Sequence, residues 1–149
     1  MELDPRTIGT TASYKLLIGC VVPRPIAWVS TIGDDGVPNL APFSFFMGVC
    51  NDPPTIAFSS GRRENGKKDT VRNLEHSGDF VVNVVDDTHA EAMNATSGEY
   101  GPEVDEFALA GLTMAPGVQV RAPRLATAPI SMECRVAQIV TVGRGPHSV

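Results

Sequence analysis

Cysteine is scarce in this chain. Cys20, Cys50 and Cys134 stand far apart, and no C-x-x-C joins any two of them. That spacing excludes a zinc ribbon or a redox pair and leaves free thiols in a reducing compartment, read best as small buried apolar residues. Histidine is equally thin. His76, His89 and His147 do not stand at metal-ligand intervals and no H-E-x-x-H occurs, so no metal site is expected. Without G-x-S-x-G or a recognisable Ser-His-Asp order, a hydrolase has little support. Positive charge is in deficit, 12 Lys and Arg against 17 Asp and Glu, for a net charge of -5. Such a balance does not advertise nucleic-acid binding, and any anionic ligand must be met by a local cluster of donors. Long hydrophobic runs are missing as well. Met1 to Thr11 has no signal-peptide core, and Leu16 to Val22 falls far short of the roughly 20 residues that span a bilayer. The expectation is a cytoplasmic protein with no membrane partner.

What is present is turn chemistry. Fourteen glycines and twelve prolines are scattered evenly through 149 residues, which suits many short strands and a single domain over residues 1–149. Ile26 to Ile32 reads as a strand, and Gly33-Asp34-Asp35-Gly36 as a turn. Val37 to Phe46 reads as a return strand broken by Pro38 and Pro42, hence an edge or bulged strand. Thr55 to Ser59 follows the Asp52-Pro53-Pro54 corner. Asp69 to Ser77 reads as a helix that Asp69 caps and Gly78 closes. Phe80 to Val85 is a compact apolar strand. Thr88 to Glu91 matches a capping box that opens a helix through Met93, and Glu103 to Ala110 a helix ended by Gly111. Ile130 to Val136 alternates apolar and polar residues, as a half-buried strand does, and Ile139 to Val142 extends it past a break at Ala137-Gln138. The sum is mainly β with short helices and no βαβ rhythm, so an antiparallel barrel or sandwich is expected.

The stretch from Gly61 to Thr70, GRRENGKKDT, carries the most chemistry. It opens as G-x-x-x-x-G-K, but Lys68 stands where a P-loop needs Ser or Thr for magnesium, which rejects that motif. Four cations still crowd a Gly-containing loop that enters a helix start, where free N–H groups favour an anion. Taken alone, such a charge run reads as a solvated loop. A second cluster pairs Arg24 to Thr31, RPIAWVST, with Asn39 to Phe46, NLAPFSFF. There small and polar residues interrupt apolar strands, a mixture able to line a pocket for a flat heteroaromatic, while the aromatics themselves read as core.

These residues make the sequence familiar. RPIAWVST, NLAPFSFF, Asp52-Pro53-Pro54, Lys68-Asp69-Thr70 and Phe80-Val81-Val82-Asn83 follow one another in the order found in the flavin reductase-like, FMN-binding split-barrel family. That family includes reductase components of two-component monooxygenases and flavoredoxin, and the chain strongly resembles it across Arg24 to Asn83. The resemblance implies an antiparallel six-stranded split β-barrel and a homodimer with FMN near the subunit interface. It places Ser59, Lys68 and Thr70 near the flavin phosphate, with Asp69 capping the helix that presents them. Asn39, Ala41, Pro42 and Ser44 would follow the ribityl chain and ring edge, with Arg24, Ala27, Trp28 and Ser30 on the facing strand.

The resemblance further implies a flavoprotein oxidoreductase that uses NADH or NADPH to reduce flavin and can supply a monooxygenase. The alternatives are a flavoredoxin-like electron carrier with a protein partner, and a split-barrel module that binds without catalysing. His147 falls on the nicotinamide side as at most a positioning or proton-relay residue, not an essential base. Family members continue past Gly145-Pro146-His147 into a further strand, so the last barrel strand is expected to be cut short here.

Overall fold

The computed structural model describes residues 2–63 and 66–143. A helix, α1 (Gly9–Cys20), precedes four strands, β1 (Ala27–Ile32), β2 (Pro38–Phe43), β3 (Phe46–Asn51) and β4 (Pro54–Phe58). Then come α2 (Asp69–Ser77), β5 (Asp79–Val84), a 3-10 turn Asp87–His89 running into α3 (Ala90–Ala95), α4 (Glu106–Leu109), the two-residue strands β6 (Met114–Ala115) and β7 (Arg124–Leu125), and β8 (Ser131–Arg135). The strands form an antiparallel sheet of order β2-β1-β5-β8 and two ribbons, β3-β4 and β6-β7.

The expected single six-stranded barrel is thus corrected to three separate sheets among the described residues. Ser44 and Phe45 break the return strand, so Val37 to Phe46 splits into β2, an edge strand, and β3, which pairs with β4. No strand forms over 139–142, where Ile139, Val140 and Val142 stand exposed. The sequence pattern did not announce α1, which buries no residue.

Strand period explains the core. In β1 the odd residues Ala27 and Val29 join Phe43, Leu74, Phe80 and Val82 on the face that α2 covers. Trp28 meets Leu40, Phe107 and Leu125 on the other. The alternation read at Ile130 to Val136 holds for Met132, Cys134 and Val136, which pack against the first cluster, whereas Ile130 lies before β8 (Ser131–Arg135) and stands exposed.

Helix ends follow local chemistry, with two corrections. Gly78 closes α2 at φ 71°, as expected of a left-handed cap. Lys68, rather than Asp69, is the cap position of α2. Asp86, not Thr88, caps the 3-10 turn by accepting the Thr88 N–H, and its carboxylate also holds His89 Nδ1 at 2.6 Å.

At the join of the strands lies Asn83, fully buried. Its Nδ2 donates to Trp28 O (3.1 Å) and Ser30 Oγ (3.2 Å), while its Oδ1 accepts from Leu125 N (2.9 Å) and Ser131 Oγ (3.0 Å). Asn83→Ala strands these partners without water, so urea unfolding should show a loss of about 3 kcal/mol.

Candidate functional site

The loop before α2 folds back on itself. Arg63 and Gly66 exchange backbone hydrogen bonds of 2.9 and 3.1 Å, and Gly66 takes φ 124°, a region glycine tolerates. The turn sets Arg63 beside Asp69. The Asp69 carboxylate, buried, bridges Arg63 at 2.8 Å and also takes Arg72. Two guanidinium partners outcompete the backbone for this carboxylate, which is why Asp69 does not cap the helix. Among the described residues no side chain caps the start of α2. Its first N–H groups, together with the positive end of the helix dipole, are therefore left to favour an anion.

Two cations beside that helix start are not fully answered. Arg63 shares its one carboxylate with Arg72, and its Nε is buried with no hydrogen-bond partner among the described residues. Lys68 Nζ lies 5.4 Å from the Phe43 ring centre. Burial holds the Lys68 ammonium below its usual range and Arg63 adds to the effect, opposed by Glu99.

Other anticipated residues gather around the same point. The Ser59 N–H donates to Phe45 O at 2.8 Å, and Phe58 packs on Phe43 with ring centres 5.0 Å apart. Ser44, Ser59 and Lys68 thus converge, half-buried, about Phe43 and Phe45, with Ala41 and Pro42 half-buried on β2. Thr70 is buried against Asn39, whose Nδ2 donates to Thr70 Oγ1 at 3.4 Å.

Arg24 closes the end of α1 instead, donating to Ile18 O and Val21 O at 2.7 and 2.8 Å and reaching Ser44 Oγ at 3.4 Å. Ala27, Trp28 and Ser30 have no exposure at all: Ala27 is core, the Trp28 indole donates to Thr96 Oγ1, and Ser30 to Pro123 O. His147 lies outside the described residues. Arg63 and Glu106 were not singled out by sequence. Arg63 sits in the basic run but nothing local tells it from Arg62, and Glu106 looks like an ordinary first-turn carboxylate.

A cavity of about 510 Å³ takes in Asn39 and Asp69 but not Lys68 or Ser59. Glu106, 5% exposed, borders it. Burial raises the Glu106 carboxyl above its ordinary 4.5; the Leu40 N–H that Oε2 accepts at 3.0 Å pulls it down, and Asp69 and Asp105 push it up. A folded-state value above the unfolded one means the native protein holds this proton more tightly. The stability so gained is present below about pH 4.5 and is lost as pH rises through the raised value. Urea midpoints measured against pH should show that decline in the native sequence and a shallower one in Glu106→Gln.

No helix among the described residues is long and apolar enough to cross a membrane. An uncharacterised protein of Aquifex aeolicus is 49% identical over 143 residues, 95% of this chain and 73% of its own length. The crystal structure of nitrilotriacetate monooxygenase component B from Bacillus cereus superposes with a TM-score of 0.95 at 34% identity, covering 99% of this chain and 75% of that one. Flavoredoxin of Desulfovibrio vulgaris (Miyazaki F) superposes with a TM-score of 0.72 at 26% identity, covering 86% and 66%. Residues 18–149 match the family described as flavin reductase like domain, and the chain belongs to that family.

Proposed function

We propose that this chain is an FMN-binding, NADH- or NADPH-dependent flavin reductase, with the flavin phosphate at the start of α2. The observation that carries this reading is the under-compensated pair Arg63 and Lys68 beside an uncapped helix N-terminus. A phosphate there gives the buried Arg63 Nε an acceptor, relieves the repulsion between the two cations and meets the free N–H groups of the first turn. The residues present therefore fit the group.

Bound flavin would supply the electron-accepting ring that no side chain of this protein offers. The chain's own residues hold and orient it. Lys68 and Arg63 fix the phosphate, Ser59 and Ser44 offer hydroxyls, and Ala41 and Pro42 let the β2 backbone approach a flat ligand. Asn39 and Thr70 support α2 from beneath, and Asp69 holds Arg63 in place. Arg24, Ala27, Trp28 and Ser30 act as the framework behind the site, and His147 as a positioning residue toward the nicotinamide. We take residues 1–149 as one such domain, working in the cytoplasm, where Cys20, Cys50 and Cys134 as free thiols fit a reducing medium. The likeness to a monooxygenase component supports a partner that consumes reduced flavin.

The β3-β4 ribbon supports homodimerisation. It leaves Met47 and Val49 exposed, 60% and 56%, on one strand, a patch suited to burial against a second copy. Met47→Asp should convert a dimer to a monomer in light scattering, and an unchanged mass would move the interface elsewhere.

The visible spectrum before and after anaerobic NADH or NADPH tests the function. Flavin bands that bleach within the turnover time support the reductase, whereas bands that persist until dithionite is added favour the electron carrier. Lys68→Ala and Arg63→Ala should each weaken FMN binding about tenfold, a loss of one charge-assisted contact apiece, and unchanged affinity would place the phosphate elsewhere.

A further inference from the structure

Three residues that the proposed flavin chemistry does not use meet just past β5, although they stand in no recognisable order in the sequence. Asp86 caps the 3-10 turn Asp87–His89, and the i, i+3 spacing of Asp86 and His89 brings both side chains to one side of that turn. Asp86 Oδ1 takes Thr88 Oγ1 and His89 Nδ1, each at 2.6 Å, besides the Thr88 N–H at 3.0 Å. Those donors, Thr88 first and His89 next, hold the Asp86 carboxyl below its ordinary range. On the other side of the ring, His89 Nε2 lies 2.9 Å from Oγ1 of Thr127, in the loop that follows β7.

The partners fix where the protons sit. An ionised carboxylate only accepts, so in the neutral ring Nδ1 carries the hydrogen and Nε2 presents a lone pair. The Thr127 hydroxyl therefore donates to Nε2. Packing holds the ring in that orientation: His89 is 8% exposed and meets Trp28 edge-on, with ring centres 6.0 Å apart.

Thr127, by contrast, faces solvent, as do Ala126, Pro129 and Ile130 beside it. The N–H groups of Ala126 and Ala128 are committed to Thr113 O (2.9 Å) and Leu125 O (3.2 Å), while the Thr127 N–H has no acceptor among the described residues. An exposed hydroxyl on a held imidazole, next to its own free amide, has two parts that acyl transfer uses. One is a base for the proton of the attacking oxygen, and the other a donor for the carbonyl oxygen that gains charge.

We infer that Asp86, His89 and Thr127 form a second reactive centre, at which Thr127 accepts the acyl group of an activated carboxylic ester. Thr127 Oγ1 bonds to the ester carbonyl carbon and its proton passes to His89 Nε2. The bond from that carbon to the leaving oxygen breaks, the electron pair departs with the oxygen, and His89 returns the proton to it or to water. The product is an acyl ester of Thr127, with no change in oxidation state. His89 acts on the reacting hydroxyl itself, and Asp86 is a positioning residue. None of the three belongs to the proposed flavin site, and His89 lies against the Trp28 face of the sheet, away from α2.

Incubation of the full chain with p-nitrophenyl acetate, followed by peptide mapping in a mass spectrometer, tests the assignment. An acetyl group is expected on Thr127 well ahead of Thr10 and Thr11, which are exposed on α1 and have no imidazole partner among the described residues. His89→Gln should slow the labelling of this position about a hundredfold. Asp86→Glu, which keeps an acceptor for Nδ1, should retain more labelling than Asp86→Asn at matched urea midpoints, a difference that mere bracing of the loop would not produce. Thr127→Ser should still be acetylated there. Labelling of Thr127 no faster than that of Thr10 and Thr11 overturns the assignment, and that comparison needs only the native protein. Equal labelling in a folded His89→Gln variant overturns it as well.

Discussion

The side chain of Asn83 has four hydrogen-bonding positions, and all four are taken, by three different strands: β1 through the Trp28 carbonyl and the Ser30 hydroxyl, β7 through the Leu125 amide and β8 through the Ser131 hydroxyl. An amide in this position fixes register, because a slip of one residue would turn Asn83 to the apolar face shared by Phe80 and Val82 and orphan every partner. The short β7 strand has little pairing of its own and is held through this contact. With β7 in place, Leu125 completes the cluster around Trp28 and Phe107, and α4, which carries Phe107, is seated against β2. The position of Glu106 follows from that seating.

On the opposite side of the sheet, an acidic protein concentrates positive charge where a helix begins. Asp69 balances some of this charge and organises the rest. By holding Arg63 and Arg72 it keeps two long side chains from dispersing into solvent, yet it cannot neutralise Lys68 as well. The arrangement is stable enough to fold and electrostatically incomplete, which is a common condition of sites whose last partner arrives from outside.

Much of this was legible in the sequence, for reasons that differ by segment. Ile130 to Val136 shows a strand because one face is core and the other is not, so alternation survives in the residue types. Gly36 and Gly78 announce the turn and the helix end because both adopt positive φ, 84° and 71°. The order of RPIAWVST, NLAPFSFF and KDT disclosed the family, since each is short but their succession is restrictive. Sheet closure was less legible: Ser44 and Phe45 divide what reads as a single long strand between two different sheets, and that division depends on pairing partners distant in sequence. The partners of Asp69 were equally hidden, because an acidic residue at a helix start predicts a cap unless one knows that Arg63 folds back to meet it. α1 escaped notice because its apolar residues, Tyr14, Leu16, Leu17 and Ile18, mark out no inward stripe and none of its residues is buried.

That last feature bears on cooperativity. α1 is attached to the body of this chain chiefly by Arg24, whose guanidinium takes the carbonyls of Ile18 and Val21 while it lies against Phe45, 5.7 Å from the ring centre. A helix held by a polar pin, with no core of its own, can open and reclose without disturbing the sheet, at a free energy far below that of global unfolding. The leading segment and the β1-β5 centre are therefore separate cooperative units. With no buried residue in α1 and none exposed at Val29 and Val82, the amides of α1 are expected to exchange with solvent far faster than those of Val29 and Val82, which would let the segment through Cys20 adapt to a neighbour while the fold beneath it stays fixed.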